Sequence, residues 1–189
     1  MKIATVKING ISALSMGRYI QTEKLPKELP QDYEARCWRE RIHRDKDGWV
    51  IIPPMMFVKS IHSAASYLGM QIIGKGKATY TKHFKAGIRC NQPLILPVKV
   101  DEVEGEWYLV PSDGKTGGTT RVQKCFPVID EWGGDLTVYV LDDLITEDVF
   151  REHINTAGQL IGIGRFRPER GGFYGCYNAE IKNWKDINL

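Results

Sequence analysis

The stretch Ala157 to Tyr177, AGQLIGIGRFRPERGGFYGCY, constrains the fold of this chain more than any other. Five of its glycines, Gly162, Gly164, Gly171, Gly172 and Gly175, weaken helix and strand alike, so the helix that runs through Ala157 must end in a loop and an aromatic strand must start beyond it. Glycines let backbone N–H groups come close to whatever the loop touches, and Arg165, Arg167 and Arg170 add fixed charge and forked donors. A phosphodiester backbone matches that combination. The alternative is a plain helix C-cap followed by a flexible hairpin. A Walker loop is excluded because no lysine lies in the stretch, and a dinucleotide fingerprint because the order is helix then strand, the reverse of what that fingerprint requires.

The chain of 189 residues is long enough for one domain with its own core, read here as residues 1–189 without an internal linker. Hydrophobic residues at 42% and charged ones at 26% exclude a disordered chain. The N-terminal KIATVKI alternates where a secretion leader would run apolar, and no apolar run approaches membrane-spanning length, so a cytoplasmic protein with no membrane partner is expected. Cys37, Cys90, Cys125 and Cys176 have no paired spacing, and His43, His62, His83 and His153 are dispersed. Buried free thiols, no metal and no cofactor are the expectation.

Net charge is only +3, but it is segregated. From Gly48 to Val100 there are seven Lys or Arg and no acid, whereas Asp101 to Ala157 holds thirteen acids against four bases. The segregation implies a molecule with a basic and an acidic side. Lys75, Lys77, Lys82, Lys85 and Arg89, interleaved with Tyr80 and Phe84, are the core of the basic segment. Single strands are held by such grooves, with exposed rings as stacking platforms, and Phe166, Phe173 and Tyr174 extend the set of candidate rings. Core filling is the alternative for each ring, and Phe173 and Tyr174, adjacent in a strand, would face opposite sides.

Periodicity supplies the order of elements. Residues 2–8 alternate as a half-buried strand, and Trp49 to Ile52 is a second short one. Pro53 and Pro54 open a helix whose Phe57, Ile61, Ala64 and Leu68 share a face. Strand-like runs follow at Leu94 to Val100 and Trp107 to Val110, then a glycine- and threonine-rich tip from Ser112 to Arg121 with its return limb at Val122 to Ile129. Leu136 to Leu141 is a strand. Thr146 N-caps a helix with Phe150, Ile154, Ala157 and Ile161 as its buried stripe, and Phe173 to Ile181 is the last strand. Without its insertions the series is strand, helix, strand, strand, helix, strand. The fold class is therefore α+β, a ferredoxin-like or RRM-like core, with a charged N-terminal insertion over residues 14–48 and a protruding β-hairpin over residues 107–129.

A core of this kind, with a helix opened by Ile52, Pro53, Pro54 and Lys59, a glycine-rich hairpin before the penultimate strand, and a terminal GIGRFRPERGGFYG loop, resembles the RAMP superfamily of CRISPR systems. Within it the likeness is to the Cas-seven-type backbone subunit. The resemblance implies a non-catalytic subunit that polymerises head to tail along single-stranded guide RNA, meeting the complementary target strand and other effector subunits. It implies that the loop from Gly162 to Gly172, Phe166 included, lies on the RNA backbone, that Lys59 and His62 approach phosphates, and that the hairpin is a thumb carrying Lys115, Thr116, Gly117, Thr119 and Arg121. Arg36, Arg39, Arg41 and Arg44 would form a finger-like element touching RNA or the next subunit. The chain is shorter than that pattern.

Three other readings stay open at this stage. Asp45 and Asp47, or Asp142 and Asp143, could hold a divalent metal for RNA cleavage, with Asp32 a further candidate because some backbone subunits of the superfamily cleave through an aspartate ahead of the first helix. The same fold could serve a phage-type protein that binds or anneals single-stranded DNA. It could also serve a decoy of the backbone subunit.

Overall fold

The computed structural model describes residues 1–112 and 120–187. In chain order, strands β1 (Lys2–Gly10) and β2 (Leu14–Ser15) precede helix α1 (Pro30–Cys37), strand β3 (Trp49–Ile52) and helices α2 (Pro54–Leu68) and α3 (Thr81–Gly87). Strands β4 (Ile88–Arg89), β5 (Leu94–Lys99), β6 (Glu104–Pro111), β7 (Arg121–Ile129) and β8 (Gly133–Val140) follow, then helix α4 (Glu147–Thr156) and strand β9 (Tyr177–Asp186).

The main sheet runs β4-β8-β1-β9 with every neighbouring pair antiparallel. With α2 and α4 between its strands, it has the expected strand, helix, strand, strand, helix, strand order. Alternation in β1 puts Ala4, Val6 and Ile8 wholly inside and leaves Lys7 on the open side. Facing them, α2 buries Phe57, Ile61 and Ala64 and stops at Gly69, while α4 buries Phe150 and Ile154. The Thr146 hydroxyl accepts from the Val149 N–H at 3.4 Å, so the predicted N-cap is present. The side chains of Phe57 and Tyr177 meet edge to face with ring centres 5.8 Å apart, joining α2 to β9 at the centre of the core.

Four details differ from the sequence expectation. The second strand of the main sheet is the two-residue β4, whereas β5 pairs with β3 in a separate two-stranded ribbon. The basic segment contains a helix, α3, because Phe84 is needed inside, where it stacks on His153 at 3.9 Å between ring centres. Helix α4 does not end at Thr156 but widens into a π turn over Ala157–Ile161, closed by the Gly162 N–H on the Ala157 carbonyl at 2.8 Å. The last strand starts at Tyr177 and not at Phe173, since the Tyr174 N–H is taken by the Phe166 carbonyl at 3.1 Å and keeps that segment in the loop.

Strands β6 and β7 form the expected hairpin, paired from Glu104 with Val128 to Pro111 with Arg121. Its tip, with Lys115, Thr116, Gly117 and Thr119, lies outside the described residues. The insertion is laid along this hairpin. Trp38 lies under Gly105, and the Glu34 carboxylate, wholly buried, accepts from Arg41 at 2.6 Å, from Lys124 at 2.8 Å and from the Cys125 N–H at 3.1 Å. Burial acts to raise the pKa of Glu34, but the hydrogen bonds from Lys124, Arg41 and Cys125 outweigh it and hold the carboxyl below its ordinary value. Cys37, Cys90 and Cys125 are buried free thiols and Cys176 is half-buried. Among the described residues no helix is long and apolar enough to cross a membrane.

Candidate nucleic-acid interface

The glycine loop, the start of α2 and the end of the insertion enclose a cavity of about 700 Å³. Pro53 and helix α2 after it supply Met55, Met56, Lys59, Ser60 and Ser63 with the proline itself; the insertion supplies Gly17, Arg41 and His43; β7 supplies Phe126; and the loop supplies Gly162 to Arg165 with Arg167 and Glu169. The first turn of α2 has no side-chain cap and no acid, but Pro53 and Pro54 carry no N–H and the Met56 N–H is taken by the Pro53 carbonyl at 2.9 Å, so side chains and not the helix end supply the donors here. Four basic side chains, Arg41, Lys59, Arg165 and Arg167, line the wall against one carboxylate, Glu169.

Local conformation explains why the loop can hold these groups. At Gly164 the backbone has φ +79°, and an added Cβ would sit 2.4 Å from the Ser15 carbonyl, so the next residue's N–H can reach that same carbonyl at 2.8 Å. At Gly172 a Cβ would fall 1.8 Å from the Phe166 carbonyl. These glycines serve the contact of the loop with its own protein as much as with any guest. Phe166, at φ +51°, is held in the left-handed region without being glycine, a strain that turns its ring over Arg165.

Arg165 is the centre of the cavity wall. Its guanidinium carbon lies 3.3 Å from the centre of the Phe126 ring, 3.9 Å from that of Phe166 and 5.4 Å from that of Tyr108. No carboxylate pairs with it among the described residues, and its Nη1 is shut off from solvent without a hydrogen-bond acceptor. Burial of the charge pushes its pKa down to about 10, with Tyr108 and Tyr174 opposing the fall. Stacked rings fix the plane of the fork and remove its water, and an anion is the group that would restore what was lost. Phe126 is shared, with the Arg41 guanidinium 4.8 Å from its centre. A hydrogen-bonded cluster of Glu106, Tyr108 and Tyr174, with the two phenol oxygens 2.8 Å apart, ties the loop to β6 behind Arg165.

The other predicted residues divide into braced, free and distant. Arg167 is bound twice to Glu169, at 3.0 and 2.6 Å, and to the Gly164 carbonyl at 3.1 Å. A hydrogen bond from Ser63, reinforced by Arg167, keeps the Glu169 carboxyl below its ordinary pKa. Arg170 and Gly171 end a 3-10 turn beyond the cavity lining. Lys59 is exposed at the rim, and it shares with Lys85 and Arg89 an influence on His62, whose pKa is lowered by burial first and by these three cations next. Lys75, Lys77, Lys82, Lys85 and Arg89 are all exposed, and of these Lys85 and Arg89 lie with Lys59 around His62. Arg121 stands at the start of β7, with its Nη1 3.4 Å from the Leu109 carbonyl. Of the insertion's arginines, Arg36 is paired with Glu28 and Arg41 with Glu34, while Arg39 lies over the Trp38 ring and Arg44 is exposed.

Among the proposed stacking rings, Tyr80, Phe84 and Tyr174 are buried, and only Phe166 and Phe173, at 44% and 67% exposure, are open to a base. Tyr80 and Phe84 therefore leave the candidate set, because the core around His153 needs them. Sequence reading missed Phe126, Gly17 and Glu169. Phe126 alternates with Cys125 on β7 and carries no signal of its own; only the fold brings it under Arg165. Three of the candidate metal carboxylates have partners: Asp45 accepts from the N–H groups of Asp47 and Trp49, each at 2.9 Å, Asp142 pairs with His83 at 2.6 Å, and Asp143 pairs with Lys2 at 2.9 Å. Among the described residues no three His, Cys, Asp or Glu converge as a metal site.

No protein-family model matches the chain, and no curated protein sequence matches it. A solved structure, the crystal structure of Cmr6 from Pyrococcus furiosus, is similar over 95% of this chain and 99% of its own, with 12% identity and a TM-score of 0.48. By its own geometry the chain is an α+β protein with a ferredoxin-like sheet and an arginine-walled cavity at the start of its first core helix.

Proposed function

We propose that this chain binds single-stranded RNA without cleaving it, seating a phosphate in the cavity between α2 and the glycine loop. The observation that carries the reading is Arg165, a cation clamped between Phe126 and Phe166 with a buried Nη1 that has no acceptor among the described residues. A phosphodiester seated beside that guanidinium would supply the counter-charge that no carboxylate supplies among the described residues, with Lys59 and Arg41 in the same wall. Lys59, Lys85 and Arg89 offer the strand a continuation, and exposed Phe166 offers a base a stacking face worth about 1–3 kcal/mol.

RNA is chosen over DNA, and a guide-bearing effector subunit over an isolated binder, on the sequence resemblance carried by Ile52 to Lys59 and by the GIGRFRPERGGFYG loop. In that setting the acidic segment from Asp101 to Ala157 meets the basic side of the next copy, and heterologous contacts that do not close give a filament along the strand.

Replacing Arg165, Arg167 and Arg170 together by Ala weakens binding to RNA of any sequence and flattens the plot of log affinity against log salt by up to about 2 units, at roughly 0.7 per phosphate contact on a single strand. Arg165→Lys alone falls most of the way to the alanine level, since an ammonium keeps the charge but loses the planar stack. Fluorescence anisotropy on RNA and DNA of matching sequence measures both. Unchanged affinity and slope in the triple variant would remove the cavity from the binding site, and equal binding of DNA would remove the preference for RNA.

A further inference from the structure

We infer that a second cavity, on the other side of the insertion, is an additional phosphate site for the same strand; the inference rests on the first cavity being a strand site. The second cavity measures about 420 Å³ and is walled by Arg18, Arg39 and Arg44, with Glu40, Gln21 and Thr22. The same three stretches of chain wall both cavities. Gly17 lines the first and Arg18 the second, Arg41 the first and Arg39 the second, His43 the first and Arg44 the second. The Arg18 N–H on the Arg41 carbonyl, at 3.0 Å, stitches two of these stretches together. A strand leaving the first cavity over this partition therefore enters the second.

Charge identifies the guest. None of the three arginines is within ion-pair distance of a carboxylate among the described residues. The only acid in the wall, Glu40, has its oxygens taken up by the Thr22 hydroxyl and by the N–H groups of Gln21 and Thr22 at 3.1 and 3.3 Å. Glu40 thereby fixes the wall, and Arg18 acts on its charge without coming within ion-pair distance. The Arg39 guanidinium carbon lies over the Trp38 ring, 4.2 Å from its centre. Three guanidinium groups brought to one cavity repel one another unless an anion sits between them, and forked donors fit the paired oxygens of phosphate. Among the described residues lining the cavity no aromatic ring is present, so it offers a base nothing on which to stack. Phosphate is thus the ligand chemistry, supplied either by an internal phosphodiester or by the terminal phosphate of the strand.

The test uses the full chain with Arg18→Gln, Arg39→Gln and Arg44→Gln combined, and with Arg44→Gln alone as the variant at an exposed position. Affinity and salt slope are measured on a long RNA and on one just long enough to fill the first cavity, each with hydroxyl or phosphate ends. For an internal phosphodiester, the triple variant loses up to about 2 units of salt slope on the long RNA, Arg44→Gln loses about 0.7, and the short hydroxyl-ended RNA is bound as by the wild type. For a terminal phosphate, the variants erase only the gain in affinity that a phosphate end gives. Wild-type slopes in both variants on every RNA would overturn the second site while leaving the first standing. Failure of the wild type to bind any of these strands would overturn both.

Discussion

The cations around the first cavity and those on residues 75–89 have the same sign and different freedom. Arg41 and Arg167 are tied to Glu34 and Glu169, and Arg165 is stacked between rings, whereas Lys75, Lys77, Lys82 and Lys85 project from an exposed turn and a short helix. A fixed guanidinium has surrendered its side-chain entropy during folding, so little is left to lose when a ligand arrives, while a free lysine must be ordered at that moment. On the proposal that the chain binds RNA, the cavity would define where a strand sits and the exposed lysines would attract it from a distance.

Breaking the fixed side gives the largest effect. Glu34→Ala leaves Arg41 and Lys124 without their buried carboxylate, and the expected loss is about 3–5 kcal/mol of stability, read from urea unfolding. Because Arg41 then loses its brace against Phe126, RNA affinity falls as well in whatever fraction remains folded. A stability change below about 1 kcal/mol, the range of exposed pairs, would mean that Arg41 is not held as described.

On the free side, changing Lys75, Lys77, Lys82 and Lys85 together to Ala leaves the unfolding curve in place. Affinity in low salt drops, the salt slope flattens by about 0.7 for each phosphate contact removed, and affinity in high salt converges on the wild type. Anisotropy titrations at several salt concentrations measure this, and a loss that persists undiminished in high salt would move these lysines from the free class to the fixed one.

The smallest effect belongs to His62, which lies where the two regions meet and has its Nε2 buried without an acceptor. Burial, then Lys59, Lys85 and Arg89, lower its pKa in the folded protein below the ordinary 6.5, so the unfolded chain takes up the proton first. Its contribution to stability is complete above the unfolded pKa and is lost as pH falls through the window between 6.5 and the lowered folded value. His62→Gln should reduce the fall in melting temperature on going from neutral to mildly acidic buffer, as followed by circular dichroism. An identical pH profile in the variant would show that the ring is solvated and apart from the three cations.

How much of this was legible varies from element to element. Strand β1, helix α2 with its double-proline entry, and the Thr146 cap were legible because period and capping are local properties of neighbouring residues. The pairing of β5 with β3 in place of the main sheet was not, since both runs carry the same alternation and only packing selects a partner. The same limit applied to rings. Phe84 and Phe166 look alike in sequence beside their basic neighbours, yet one fills the core and the other stands 44% exposed.

The sequence by itself determined the order of the core elements, the segregation of charge, and a glycine loop rich in arginine at the end of α4, all of them readable from composition and spacing over a few turns. Tertiary structure decided which arginines are spent inside the protein and which have a donor to spare. Glu28 reaches Arg36 across eight positions, Glu34 reaches Arg41 across seven, and Phe126 comes beneath Arg165 from a strand thirty-nine positions away. Partnership among charges and rings is set by distance in space, and a linear chain acquires those distances only when its core closes.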